Sequence, residues 1–190
     1  KEKYLSKSIP LNKSSLRFLR DRLGFFPPVD KLVEFVFYRP EEQGVANALG
    51  FGIRNYYQKK ISEEKTGNLS YGNTHEFLHA FLYGTPVITG PDGAHWLEEG
   101  LADYLEHTHY GINNLHCRKN GWENGYHDKE DKFISTSPFV PYSDLTTLPK
   151  PTPEHYNPLN NSSFYRSAEC FWAYIKENYG NQAIRDIAQV

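Results

Sequence analysis

Two histidines spaced four residues apart, with a glutamate directly after the first, constrain this chain more than any other stretch: His75-Glu76-Phe77-Leu78-His79. On an α-helix, positions i and i+4 stack on the same face, so both imidazoles can point at a single metal ion. Glu76 lies one step round, where its carboxylate can reach a metal-bound water without being a ligand itself. A catalytic zinc site needs three protein ligands and one open position for water. A fold built on this motif must therefore bring a third donor from another element.

The place to look is Trp96-Leu97-Glu98-Glu99-Gly100-Leu101-Ala102-Asp103-Tyr104-Leu105-Glu106. Glu99, Asp103 and Glu106 follow i, i+4, i+7 spacing and share one helical face, while Glu98 points elsewhere. One carboxylate can ligate a metal while its neighbour a turn later accepts the other ring N–H of a ligand histidine. A merely solvated acidic face fits poorly here, because the segment is otherwise apolar and has no lysine or arginine to balance the charge.

These two segments together resemble the gluzincin clan of zinc metallopeptidases. More narrowly, they are similar to the compact peptidase MA-like domains, with thermolysin and the zinc aminopeptidases as more distant relatives. The resemblance implies one Zn2+ ion held by His75, His79 and Glu99, with Asp103 orienting a ligand histidine. Nineteen residues separate His79 from Glu99, one more than is usual in the aminopeptidase relatives, which leaves Glu98 as a competitor for the third ligand. Pro141-Tyr142-Ser143-Asp144-Leu145 and the run from Phe164 through Tyr165 and Cys170 to Ile175 are similar to the C-terminal half of the same domains. There a tyrosine opening the helix faces the metal across the cleft; Tyr165 is the candidate, as a phenol donor to the oxyanion, and Tyr156 is a substitute.

The activity implied is zinc-dependent hydrolysis of peptide bonds in a peptide or protein substrate, with Glu76 as general base for the attacking water. Gluzincins commonly bind peptide as an added strand on a sheet edge. The segment 46–57 stands in the right place for that edge, with Gly50, Phe51 and Gly52 as substrate-binding candidates, although an ordinary strand with a bulge is an equal reading. Aminopeptidase relatives carry a glutamate that holds the free amino terminus. Arg54 stands at that position, which favours an endopeptidase. The alternative is a zinc-binding but catalytically silent or latent interaction module.

The fold class expected is α+β. It takes the form of a compact zincin fold, with a small N-terminal mixed β-sheet and the active-site helix packed on a mainly helical C-terminal half. A chain of 190 residues suits a single domain over 1–190, with subdomains at about 1–84 and about 94–190. With 38% apolar and 15% aromatic residues the composition is globular. A net charge of −2 argues against a nucleic-acid or anionic-membrane partner. There is no apolar run of about 18 residues, hence no expected membrane span.

Along the chain, the spacing predicts a helix over 14–22 with Leu16, Leu19 and Leu23 on one stripe, N-capped by Ser14 or Ser15 and closed by Gly24. Strands are expected over 32–38 and, once or twice, over 46–57, followed by a charged loop over 58–67. The motif helix should run over about 71–83 and the carboxylate helix over about 94–107, joined by the Pro/Gly-rich segment 85–93. The stretch 110–158 lacks strong periodicity. A helix over about 163–178, with Phe164, Ala168, Phe171, Ile175 and Tyr179 on one stripe, should stop at Gly180, and a short helix over 181–189 should follow.

Cys117 and Cys170 can pair or remain two buried thiols, with Cys170 placed next to the apolar stripe. The chain holds no methionine and is expected to be a processed or excised form. Together with sequons at Asn68, Asn160 and Asn161, this favours an extracytoplasmic setting. His107 and His109 fall at a helix end, where the dipole favours imidazolium. His95, His116, His127 and His155 read as exposed loop residues.

Overall fold

The computed structural model describes residues 2–27, 33–38, 45–49, 52–57, 73–83, 95–112, 115–118, 121–123, 125–130, 132–136, 140–141 and 158–189. The chain is α+β, as the sequence pattern predicts, and divides into two compact units, 1–84 and 85–190. The segments 58–67 and 85–93, and residues Gly50, Phe51, Asn68, His155 and Tyr156, lie outside the described residues.

The first unit opens with α1, Glu2–Leu23, twelve residues longer at its start than the apolar spacing suggests. The buried face explains the difference. Ser8, Asn12 and Ser15 continue the stripe of Leu19 and Leu23 toward the N-terminus, and all five are buried. A helix face that is polar over its first turns gives no apolar period to read. Ser15 is mid-helix and not a cap: its hydroxyl donates to the Leu11 carbonyl at 3.1 Å. Gly24 ends α1 in the left-handed region, φ 80°, donating its N–H to the Arg20 carbonyl at 2.8 Å.

Three strands follow: β1 Val33–Tyr38, β2 Val45–Leu49 and β3 Gly52–Tyr57. Their order is β1-β3-β2. β3 runs parallel to β1 and antiparallel to β2, with Leu49 opposite Gly52, so the sheet is mixed as expected. Two strands fall within the segment 45–57, and Gly52 opens the second. The edge assignment needs correction, however: β3 is paired on both sides, so Gly52 to Tyr57 is the centre of this sheet, and β2 is an edge among the described residues.

The motif helix α2 is Thr74–Leu82. At about 100° per residue, Thr74, Phe77, Leu78, Ala80, Phe81 and Leu82 fill one face and are buried. His75, Glu76 and His79 share the opposite arc and are half-buried. Phe81 also meets the Phe25 ring, centroids 6.2 Å apart.

The second unit is built on α3, His95–Tyr110, and α4, Pro158–Gln189, which breaks at Gly180 with φ 81° and ψ 179°. Gly180 thus separates the two helical segments where the sequence places the stop. Leu101, Ala102 and Leu105 of α3 are buried, as are Phe164, Ala168 and Trp172 of α4. The Trp172 indole N–H donates to the Leu97 carbonyl at 2.8 Å, and the Trp96 and Phe171 rings meet edge-on at 5.2 Å.

The buried stripe of α4 is rotated from the expected one. Tyr179 is 63% exposed, while Ser167, Glu169, Cys170 and Trp172 are buried. The weakly periodic stretch after α3 contains strands of two or three residues, too short to display alternation. These are β4 Cys117–Arg118, β5 Gly121–Trp122, β6 Gly125–His127, β7 Phe133–Ser135 and β8 Val140–Pro141. They form the antiparallel sheets β4-β5-β8 and β6-β7. A Cys117–Cys170 disulfide ties β4 to α4, deciding between the two states the sequence leaves open. No helix among the described residues is long and apolar enough to cross a membrane.

Candidate metal centre

The start of α2 is held by α1 through buried polar contacts. Asn73, the residue before the helix, makes no side-chain cap of its own. Its backbone N–H and its amide both donate to Asn12 Oδ1, at 3.2 and 2.9 Å. The Thr74 hydroxyl donates to Ser15 Oγ at 2.8 Å, and Thr74 and Ser15 are fully buried. These contacts fix the turn that carries His75 and Glu76. Nothing local announces them, since the partners lie about sixty residues apart.

His75 and His79 stack along α2 with ring centroids 5.1 Å apart. One ligand atom from each of His75, His79 and Glu99 lies within 4.8 Å of the other two. A tetrahedral shell with bonds of about 2.1 Å sets ligand atoms about 3.4 Å apart, inside that limit. Two imidazoles and a carboxylate suit a borderline divalent cation. Glu99 is buried, 8% exposed. Together these residues can bind a metal ion.

The structure separates the candidates on α3. Glu99 enters the cluster, and Glu98 is not part of it. Asp103, one turn after Glu99, lies 3.8 Å from Arg166 of α4. Arg166 in turn binds Glu169 Oε2 at 2.7 Å, and Glu169 Oε1 binds His107 Nδ1 at 2.6 Å. Asp103 on the acidic face of α3 is therefore met by an arginine from another helix, a partner that no cation within α3 announces. Glu169 is 2% exposed; a lone acid inside an otherwise buried stripe was the available signal.

Tyr165 is half-buried on α4, its ring edge-on to Phe164 at 5.4 Å. Of the substrate-binding candidates, Gly52 opens the central strand β3. For His109, the dipole argument is overridden: burial holds its pKa below the ordinary value, because desolvation penalises the imidazolium. His116 is half-buried against the Phe133 ring at 4.7 Å, not an exposed loop residue. His95 opens α3 and His127 closes β6.

No protein-family model, curated protein or solved structure matches the chain.

Proposed function

We propose that this chain is a zinc-dependent peptidase of gluzincin type, acting as an endopeptidase. The observation that carries the reading is the convergence of His75, His79 and Glu99, with Glu76 beside them on the same arc of α2. Zinc, when bound, supplies Lewis-acid polarisation of the substrate carbonyl and acidification of a water. Glu76 would accept a proton from the attacking water on a carboxylate oxygen and pass it to the leaving amine. Asp103 accepts the outer ring N–H of a ligand histidine and so holds its tautomer. Tyr165 donates its phenol O–H to the developing oxyanion. A structural zinc site has no use for a base beside its metal, which supports the enzyme over a silent module. The disulfide supports an oxidising, extracytoplasmic setting.

The test combines metal analysis with cleavage of a broad peptide library by wild type and Glu76→Gln. We expect one zinc per chain in both proteins and cleavage by wild type alone. Zinc bound by both with cleavage by neither would reduce the chain to a binding module. Equal cleavage by the variant would remove Glu76 from the mechanism.

A further inference from the structure

We propose that a cavity within the second unit, walled by α3, the segment entering β4, and α4, binds an organic cation on an apolar stem, of the kind a lysine side chain presents. The cavity measures about 580 Å³, within the range of small-ligand sites. Its described lining residues fall between Tyr104 and Glu177, and none of them is a ligand of the candidate metal centre.

Its chemistry selects a cation. Tyr104 and Tyr174 supply aromatic walls, and Ile112, Leu115 and Ala173 supply apolar surface for a stem. Tyr174 is steadied by an edge-on contact with Tyr179, centroids 6.3 Å apart; both rings are exposed, at 36% and 63%. Buried Glu169 is already balanced, one oxygen taken by His107 and the other by Arg166.

The one arginine among the described lining residues is likewise committed. Arg118 donates to Glu123 at 2.8 Å and lies over the Phe133 ring at 4.5 Å. That leaves Glu177, exposed in the lining and making no hydrogen bond or ion pair among the described residues. A carboxylate beside tyrosine faces attracts a cation both by charge and by the ring quadrupole. An anion would meet Glu177 with no unpaired base among the described lining residues to offset it.

The probe pair is lysine and norleucine, each acetylated at the α-amine and amidated at the carboxyl end, so that they differ only in the ammonium group. Each is titrated into the full chain and followed by amide chemical shifts, with circular dichroism confirming that variants fold. We expect saturable binding of the lysine probe, with shifts at Tyr104, Gly111 and Tyr174, and norleucine weaker by about tenfold. Glu177→Gln, a surface change that leaves the core intact, should weaken lysine by about fivefold and leave norleucine unchanged. Tyr174→Leu keeps an apolar wall but should erase the preference for lysine. The proposal is overturned by no saturable binding, by norleucine binding as tightly as lysine, by shifts confined to other regions, or by a Glu177→Gln variant that binds lysine like wild type.

Discussion

Replacing Gly100 with alanine asks α3 and α4 to make room where there is none. A Cβ built on Gly100 falls 2.5 Å from the Ala168 carbonyl carbon and 2.6 Å from both its Cβ and its oxygen, against 3.4–4 Å for ordinary contact. The shortfall is about 1 Å, and every opposing atom is backbone or Cβ, so no side-chain rotation relieves it. Overpacking of this kind costs about 1–3 kcal/mol, and more where neither side yields. Alanine recovers about 1 kcal/mol through its better helix propensity. Separating the helices also loosens Leu101, Leu105, Phe164 and Trp172, which are buried in the same two helices. We expect a net loss of about 2 kcal/mol, or a fall in Tm of roughly 4–8 °C for a chain of this size.

Because Glu99 is the preceding residue, affinity for a divalent metal ion should drop in the same variant. Urea denaturation of the metal-free protein measures the first effect, and competition with a chromophoric chelator measures the second. A metal-free Gly100→Ala protein as stable as wild type, or more so, would refute the close helix crossing on which the reasoning stands.

Three further outcomes follow from the packing. The disulfide spans 53 residues, so the Cys117→Ser/Cys170→Ser double variant should lose about 4 kcal/mol on the chain-entropy estimate; an unchanged denaturation midpoint would contradict it. Glu169→Ala leaves Arg166 and His107 without their shared carboxylate and should cost about 3 kcal/mol, whereas a loss below about 1 kcal/mol in equilibrium unfolding would show that the network is not coupled. Burial lowers the pKa of His109, so below its ordinary value of 6.5 the unfolded chain binds the extra proton first. Its contribution to stability is therefore complete above that value and is lost as the pH falls toward the folded pKa. His109→Asn should flatten that part of the stability–pH curve, and an unaltered slope between wild type and variant would rule the effect out.

How much was legible depends on how far apart the partners are. The polar arc of α2 could be read directly, because Phe77, Leu78 and Phe81 alternate with His75, Glu76 and His79 within nine residues of helix. The stops at Gly24 and Gly180 were equally plain, since both take positive φ and glycine does so at little cost. The N-terminal half of α1 was hidden by its own chemistry, for Ser8, Asn12 and Ser15 are buried but carry no apolar signal. The stripe on α4 departs from its apolar period because Glu169 and Ser167 face inward while Tyr179 faces out, with Glu169 bound to His107 of α3.

The sequence by itself determined the donor types, their helical spacing, the α+β class and the points where helices stop. Each of these rests on backbone sterics and periodicity acting over a turn or two. Only the tertiary structure decided that Glu99 and not Glu98 is grouped with the histidines, that Arg166 faces Asp103 of α3, that Cys117 pairs with Cys170, and that β3 lies in the middle of its sheet. Those outcomes join residues from about twenty to more than sixty positions apart. Chain closure over such distances is settled by the packing of whole elements, not by the preferences of any short segment.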